Sequence, residues 1–208
     1  MIHRIVRAIV NVLLNLIARV EYIGLENIPD APPYIMVTNH ISVFDSPVML
    51  TVCPHTIRAF AAVKHKRNPV YAPLLAMMGS IWVRRGEVDR RALDRALDVL
   101  KRGEALGMAP EGTRARGPYA LQKGKTGPAY IATRANVWIV PVGITGTEKI
   151  KHNLPQLRRA NVRVVVGKPL RLPESGQVRG KKLRTYTDDL IMHSIAGLLP
   201  EEYRGVYA

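Results

Sequence analysis

The chain has 208 residues, 47% of them hydrophobic, which suits one domain with a sizeable core and excludes a disordered chain. Lys and Arg number 31 against 16 Asp and Glu, a formal net charge of +15, so the partners to expect are anionic: nucleic acid, an anionic membrane, or an acidic substrate or carrier. The single cysteine, Cys53, excludes an intrachain disulfide and a cysteine metal cluster, and its flanks, Val52 and Pro54, carry no group to activate it.

Residues 2–20 contain neither Pro nor Gly. Ile2, Ile5, Val6, Ile9, Leu13, Leu16, Ile17 and Val20 gather on one face at helical spacing, and Arg4, Arg7, Asn11, Asn15 and Arg19 form the opposite stripe. The pattern predicts an amphipathic helix within residues 1–21, followed by one domain over 22–208. A transmembrane span is disfavoured, because a charged residue at mid-bilayer costs about 2.5–3.5 kcal/mol. The polar stripe also interrupts any signal-peptide core. Two placements remain: packed against the domain's own core, or lying in a membrane interface with its arginines near lipid phosphates. The single sign of charge on the stripe favours the interface.

A connector, 24–30, leads to Tyr34–Thr38, an apolar run read as a buried strand. Ser46-Pro47 reads as a helix start. Ile57–Val63 is a second strand, 70–78 a helix, and Ser80–Val83 a strand ending on Arg84 and Arg85. Asp89–Arg102 has helical periodicity with a solvated charged face and stops at Gly103. Ala105–Ala109, 126–135, Val137–Val142, Asn161–Val166 and 181–199 continue as strand, helix, strand, strand and helix. Strands alternating with helices indicate a single α/β domain with a mixed, largely parallel sheet flanked by helices.

Two segments carry chemistry. In Asn39-His40-Ile41-Ser42-Val43-Phe44-Asp45, the imidazole is a candidate general base. A carboxylate on its other nitrogen would fix the tautomer and stabilise the imidazolium. An offset of five residues is about 140° on a helix, so the pair meets only if His40 ends a strand and Asp45 opens the next helix. A loop histidine beside a capping aspartate is the alternative. No Gly-x-Ser-x-Gly elbow accompanies the pair, which points to direct transfer onto an acceptor hydroxyl. No second ligand stands at metal spacing.

In Ala109-Pro110-Glu111-Gly112-Thr113-Arg114, a strand runs into a glycine turn whose N–H groups can face an anion. Arg114 can hold phosphate bidentately, and Thr113 adds a hydroxyl donor. Glu111 is expected to hold Arg114 or to contact an acceptor hydroxyl. A surface turn with an ion pair is the alternative. Val140-Pro141-Val142-Gly143 has no reactive group and is read as pocket wall.

Taken in order, these segments resemble the phospholipid and glycerol-phosphate acyltransferase family, whose best-known members are the 1-acylglycerol-3-phosphate acyltransferases. Asn39-His40-x4-Asp45-Ser46-Pro47 looks like the catalytic block. Ile81–Arg85 looks like the second block with Arg85 at its arginine, Pro110–Arg114 is like the third, and Ile139–Val142 is like the fourth. Gly24–Pro29, Lys64 and Lys123-Gly124 also sit at family-like positions. Arg84, Gln122 and Lys125 depart from the usual surroundings.

The resemblance implies His40 as base with Asp45 as its partner, and Arg85, Glu111, Gly112, Thr113, Arg114 and Lys64 at the acceptor. It implies no resident cofactor and no metal. The co-substrate would be acyl-coenzyme A or acyl-acyl carrier protein, and the acceptor a lysophospholipid, first of all lysophosphatidic acid. It implies peripheral or monotopic attachment at the cytoplasmic face of an anionic membrane; with only two Phe and two Trp and no legible helix-turn-helix, zinc-finger or RNP-type motif, no nucleic acid is expected. The alternatives are another acceptor, such as glycerol 3-phosphate or a lyso-aminolipid, or a non-catalytic basic protein that binds membrane or nucleic acid.

Overall fold

In the computed structural model of the chain, residues 2–69, 71–84, 86, 89–115 and 117–208 are described. Seven strands form one sheet: β1 (Ala18–Ile23), β2 (Tyr34–Thr38), β3 (Ile57–Ala62), β4 (Ile81–Val83), β5 (Ala105–Met108), β6 (Trp138–Thr145) and β7 (Ala160–Val166). Their order across the sheet is β1-β7-β6-β2-β5-β3-β4. Strands β2 to β6 run one way; β7 is antiparallel to β6, and β1 is parallel to β7. The sheet is therefore mixed and largely parallel, as the alternation of patterns predicts.

Helices cover both faces. Alternation along β2 sends Tyr34 and Met36 to one side and Ile35 and Val37 to the other, all fully buried. The first side packs on α1 (Ile2–Ile17) and α2 (Asp45–Val52). The second packs on α4 (Arg90–Lys101), α5 (Gly127–Ala135) and the C-terminal helical segment. That segment begins as α7 (Gly180–Thr185), widens to a π-helical turn over Tyr186–Met192, and ends as α8 (His193–Ala196). Two further helices, α3 (Tyr71–Met77) and α6 (Ile150–Asn153), follow β3 and β6 respectively.

Most predicted elements lie where the patterns place them, but the N-terminal helix ends early. It stops at Ile17, and Ala18–Ile23 is an edge strand in register with Ala160–Val165. The expected boundary between residues 21 and 22 thus falls inside β1, and Arg19 and Val20 belong to the sheet. The cause is long-range: the β1–β7 ladder captures residues whose local period also suits a helix.

The apolar face of α1 is divided between the core and its surroundings. Val6 and Leu14 are buried, with Val10 and Ile17 half-buried beside them, against α2 and the sheet. Ile5, Ile9, Val12, Leu13 and Leu16 point outward, Leu16 with 67% of its surface exposed. Arg7 turns inward and donates to the Cys53 carbonyl. So α1 rests on the core by one apolar stripe and offers a second to its surroundings. No helix among the described residues is long and apolar enough to cross a membrane.

Candidate active site

Strand β2 delivers the candidate histidine. Beyond Thr38, the Asn39 side-chain amide donates to the Ile144 carbonyl and accepts from the Ile144 N–H, both at 2.8 Å. The side chain extends the β2–β6 pairing by one more link and fixes where the chain leaves the sheet. Asn39 is 1% exposed, so neither bond competes with water.

His40 comes next, and its Nδ1 lies 2.8 Å from Asp45 Oδ2. Asp45 is the first residue of α2, which places the pair across a strand-to-helix turn as the five-residue offset requires. The same Oδ2 accepts the N–H groups of Ile41 and Ser42, each at 2.8 Å. Oδ1 accepts the Thr147 hydroxyl at 2.6 Å. A buried carboxylate is costly unless its lone pairs are filled, and four donors fill these. Facing a carboxylate, Nδ1 is the donor, which leaves the Nε2 lone pair to take a proton.

The loop after β5 grips the same histidine. Glu111 Oε1 accepts the His40 N–H at 2.8 Å, and the Ala115 N–H donates to the His40 carbonyl at 2.7 Å. Glu111 Oε2 accepts from the Gln122 N–H at 3.1 Å. Burial pushes the Glu111 carboxyl up to about 7, against the two N–H bonds, with the nearby Asp45 charge adding to the rise. Sequence reasoning assigned Glu111 to Arg114 or to the acceptor. Both its oxygens are instead taken by main-chain donors, because the 110–115 loop folds back over the end of β2 and buries the carboxylate there.

His40, Asp45 and Gly112 line a cavity of about 930 Å³, within the ordinary range for ligand sites of about 300–1,000 Å³. Its walls draw on both cores: Val10, Met49 and Leu50 from one side of the sheet, Leu93, Tyr130 and Leu183 from the other. Among the described residues its basic side chains are Arg84, Arg90, Lys125, Arg134 and Arg179.

The remaining predicted residues are less central. Arg114 is half-buried and Thr113 exposed on the loop that holds His40; neither lines the cavity. Lys64 is exposed in the short turn after β3 and stands apart from the cavity lining. Arg85 lies outside the described residues. Sequence reasoning missed three side chains: Thr147 on Asp45, Asn39 as the lock on β6, and Lys125 at the cavity. Thr147 and Ile144 are more than 100 residues from their partners, so no local spacing announces them.

The chain resembles known proteins over most of its length. It is 30% identical, over 71% of its residues, to a chloroplastic 1-acyl-sn-glycerol-3-phosphate acyltransferase of Arabidopsis thaliana, of which it spans 42%. It is 33% identical, over 60% of its residues, to a 1-acyl-sn-glycerol-3-phosphate acyltransferase of Borreliella burgdorferi, of which it spans 50%. The chain thus spans about half the length of these curated relatives, or less. The crystal structure of a 1-acyl-sn-glycerophosphate acyltransferase from Thermotoga maritima superposes with a TM-score of 0.72 at 25% identity, covering 94% of this chain and 78% of that one. Residues 19–145, which include the His40–Asp45 pair, the Glu111–Arg114 loop and the β6 wall, match the model of the acyltransferase family; the chain belongs to that family.

Proposed function

We propose that the protein moves a fatty acyl group from an acyl thioester to the free hydroxyl of 1-acylglycerol 3-phosphate, giving phosphatidic acid. The observation that carries this reading is the His40–Asp45 pair, with Nδ1 committed to a fully satisfied carboxylate, at an apolar cavity. Nε2 takes the proton of the acceptor hydroxyl as its oxygen attacks the thioester carbonyl. A C–O bond forms, the C–S bond breaks, and the departing thiolate takes the proton back from the imidazolium. The cavity receives the apolar chains. The loop at Gly112–Arg114, with Arg85, receives the acceptor's phosphate, and the donor is acyl-coenzyme A or acyl-acyl carrier protein.

The outward stripe of α1 supports attachment to a membrane surface, where acceptor and product reside. Five large apolar side chains stand exposed on one helix, and Arg4 is exposed on the same helix to meet anionic headgroups. We place this contact at the cytoplasmic face of the membrane.

The test is thiol release from palmitoyl-coenzyme A with and without lysophosphatidic acid, for the natural chain and His40→Ala. Release that depends on acceptor and falls about 10²–10⁴-fold in the variant is expected. Acceptor-dependent release that survives in His40→Ala overturns the role of the base. Release supported by glycerol 3-phosphate or a lyso-aminolipid in place of lysophosphatidic acid reassigns the acceptor.

A further inference from the structure

Lys125 lies across the glycine turn. Gly112 has φ +69°, and a Cβ built on it would stand 3.0–3.1 Å from Cδ, Cε and Nζ of Lys125. The lysine side chain thus occupies the space that a side chain at 112 would need. Lys125 and His40 line the same cavity. The Lys125 N–H donates to the Pro110 carbonyl at 2.8 Å, which ties its main chain to the loop that holds His40. Among the described residues no acid forms an ion pair with it.

The C-terminal segment sets where this lysine stands. The Gly124 N–H donates to the Tyr207 hydroxyl at 3.0 Å, and the Arg184 guanidinium donates to the Gly124 carbonyl at 2.7 Å. Tyr207 in turn donates to Asp188, which pairs with Arg184. A larger residue at 124 would displace the Met192 side chain, which a Cβ there would meet at 2.7–2.8 Å. Both main-chain groups of the residue before Lys125 are therefore held by side chains that lie beyond residues 19–145, the stretch that matches the family.

We infer that Lys125 is an anion-contacting residue for the phosphate of the acceptor, and that Arg184, Asp188 and Tyr207 are positioning residues that hold it there through Gly124. The inference rests on the proposed acceptor being a phosphorylated lysolipid. An ammonium in no ion pair among the described residues, laid over a glycine turn in the cavity that His40 lines, puts its charge where the acceptor's phosphate can reach it. A phosphate there gains a charge-assisted bond.

The experiment is calorimetric binding of lysophosphatidic acid in detergent micelles to the full chain, with monoacylglycerol of the same chain length as the phosphate-free control. Binding needs no turnover, so it separates this inference from the proposed reaction. Lys125→Met should weaken lysophosphatidic acid binding about tenfold to a hundredfold and leave monoacylglycerol binding unchanged, and Lys125→Arg should restore most of the loss. Tyr207→Phe should weaken lysophosphatidic acid binding by a smaller factor, with the same indifference to monoacylglycerol. Unchanged lysophosphatidic acid binding in Lys125→Met, or equal losses for both lipids, overturns the assignment. A Tyr207→Phe chain that melts lower yet binds normally overturns the positioning role. If the natural chain binds lysophosphatidic acid but does not acylate it, the anion site stands and the proposed reaction fails; if it binds neither lipid, the anion site falls.

Discussion

Asn39 and Ile144 exchange two hydrogen bonds of 2.8 Å, side-chain amide against main chain, at the point where β2 ends and the loop bearing His40 begins. Asn39→Ala leaves the N–H and C=O of Ile144 buried and unpaired, at about 1–3 kcal/mol for each group. Urea unfolding should show a loss of about 2–6 kcal/mol, and turnover should fall as the loop loosens. Asn39→Asp should be no better, since a carboxylate oxygen would then face the Ile144 carbonyl.

Thr147→Val removes one donor from Asp45 Oδ1 and preserves the shape of the side chain. Asp45 keeps the His40 and main-chain bonds, so the fold should hold. The turnover number should drop about tenfold as the carboxylate loses its fixed direction, with the acceptor KM little changed. Steady-state kinetics beside a thermal melt separates the two effects.

Glu111 gives a pH signature. Its folded-state pKa of about 7 stands above the usual 4.5, so the native state holds a proton that the unfolded chain has already released. The stability it contributes is full below about 4.5 and is lost as pH rises towards 7. The advantage of the natural chain over Glu111→Gln in urea unfolding should therefore shrink across that window and stay level above it. An advantage that grew with pH would show a carboxyl below its ordinary range.

The outward stripe of α1 is testable without disturbing the core. Ile9→Asp with Leu16→Asp should abolish sedimentation with anionic vesicles and leave the melting temperature nearly unchanged, because these side chains are 54% and 67% exposed. Retained sedimentation would place the membrane contact elsewhere.

What the sequence disclosed was whatever depends on near neighbours. Strand β2 is a five-residue apolar run and α4 a period-3.6 pattern capped by Asp89, whose side chain accepts from the Ala92 N–H as a cap should. The His40–Asp45 pair was legible because a strand and a helix start bracket it. Strand β1 was not, since residues 18–20 also continue the helical period and only a partner some 140 residues away decides the matter. The role of Glu111 was hidden for the same reason. A carboxylate in a turn looks like the partner of the nearest arginine, and its true partner, the His40 N–H, is 71 residues distant. Lys125 stood among residues that departed from the family pattern, and the sequence contained no sign that its side chain crosses Gly112.

The His40 main chain hangs from Glu111 by its N–H and from Ala115 by its C=O, so the imidazole and the 111–115 loop form one mechanical unit. A loop transplanted from a relative to alter acceptor choice would carry its own suspension for the imidazole. Selectivity and speed would be inherited together, and an engineer seeking only the first would have to keep Glu111, Ala115 and the positive-φ Gly112 native and confine the changes to Thr113 and Arg114.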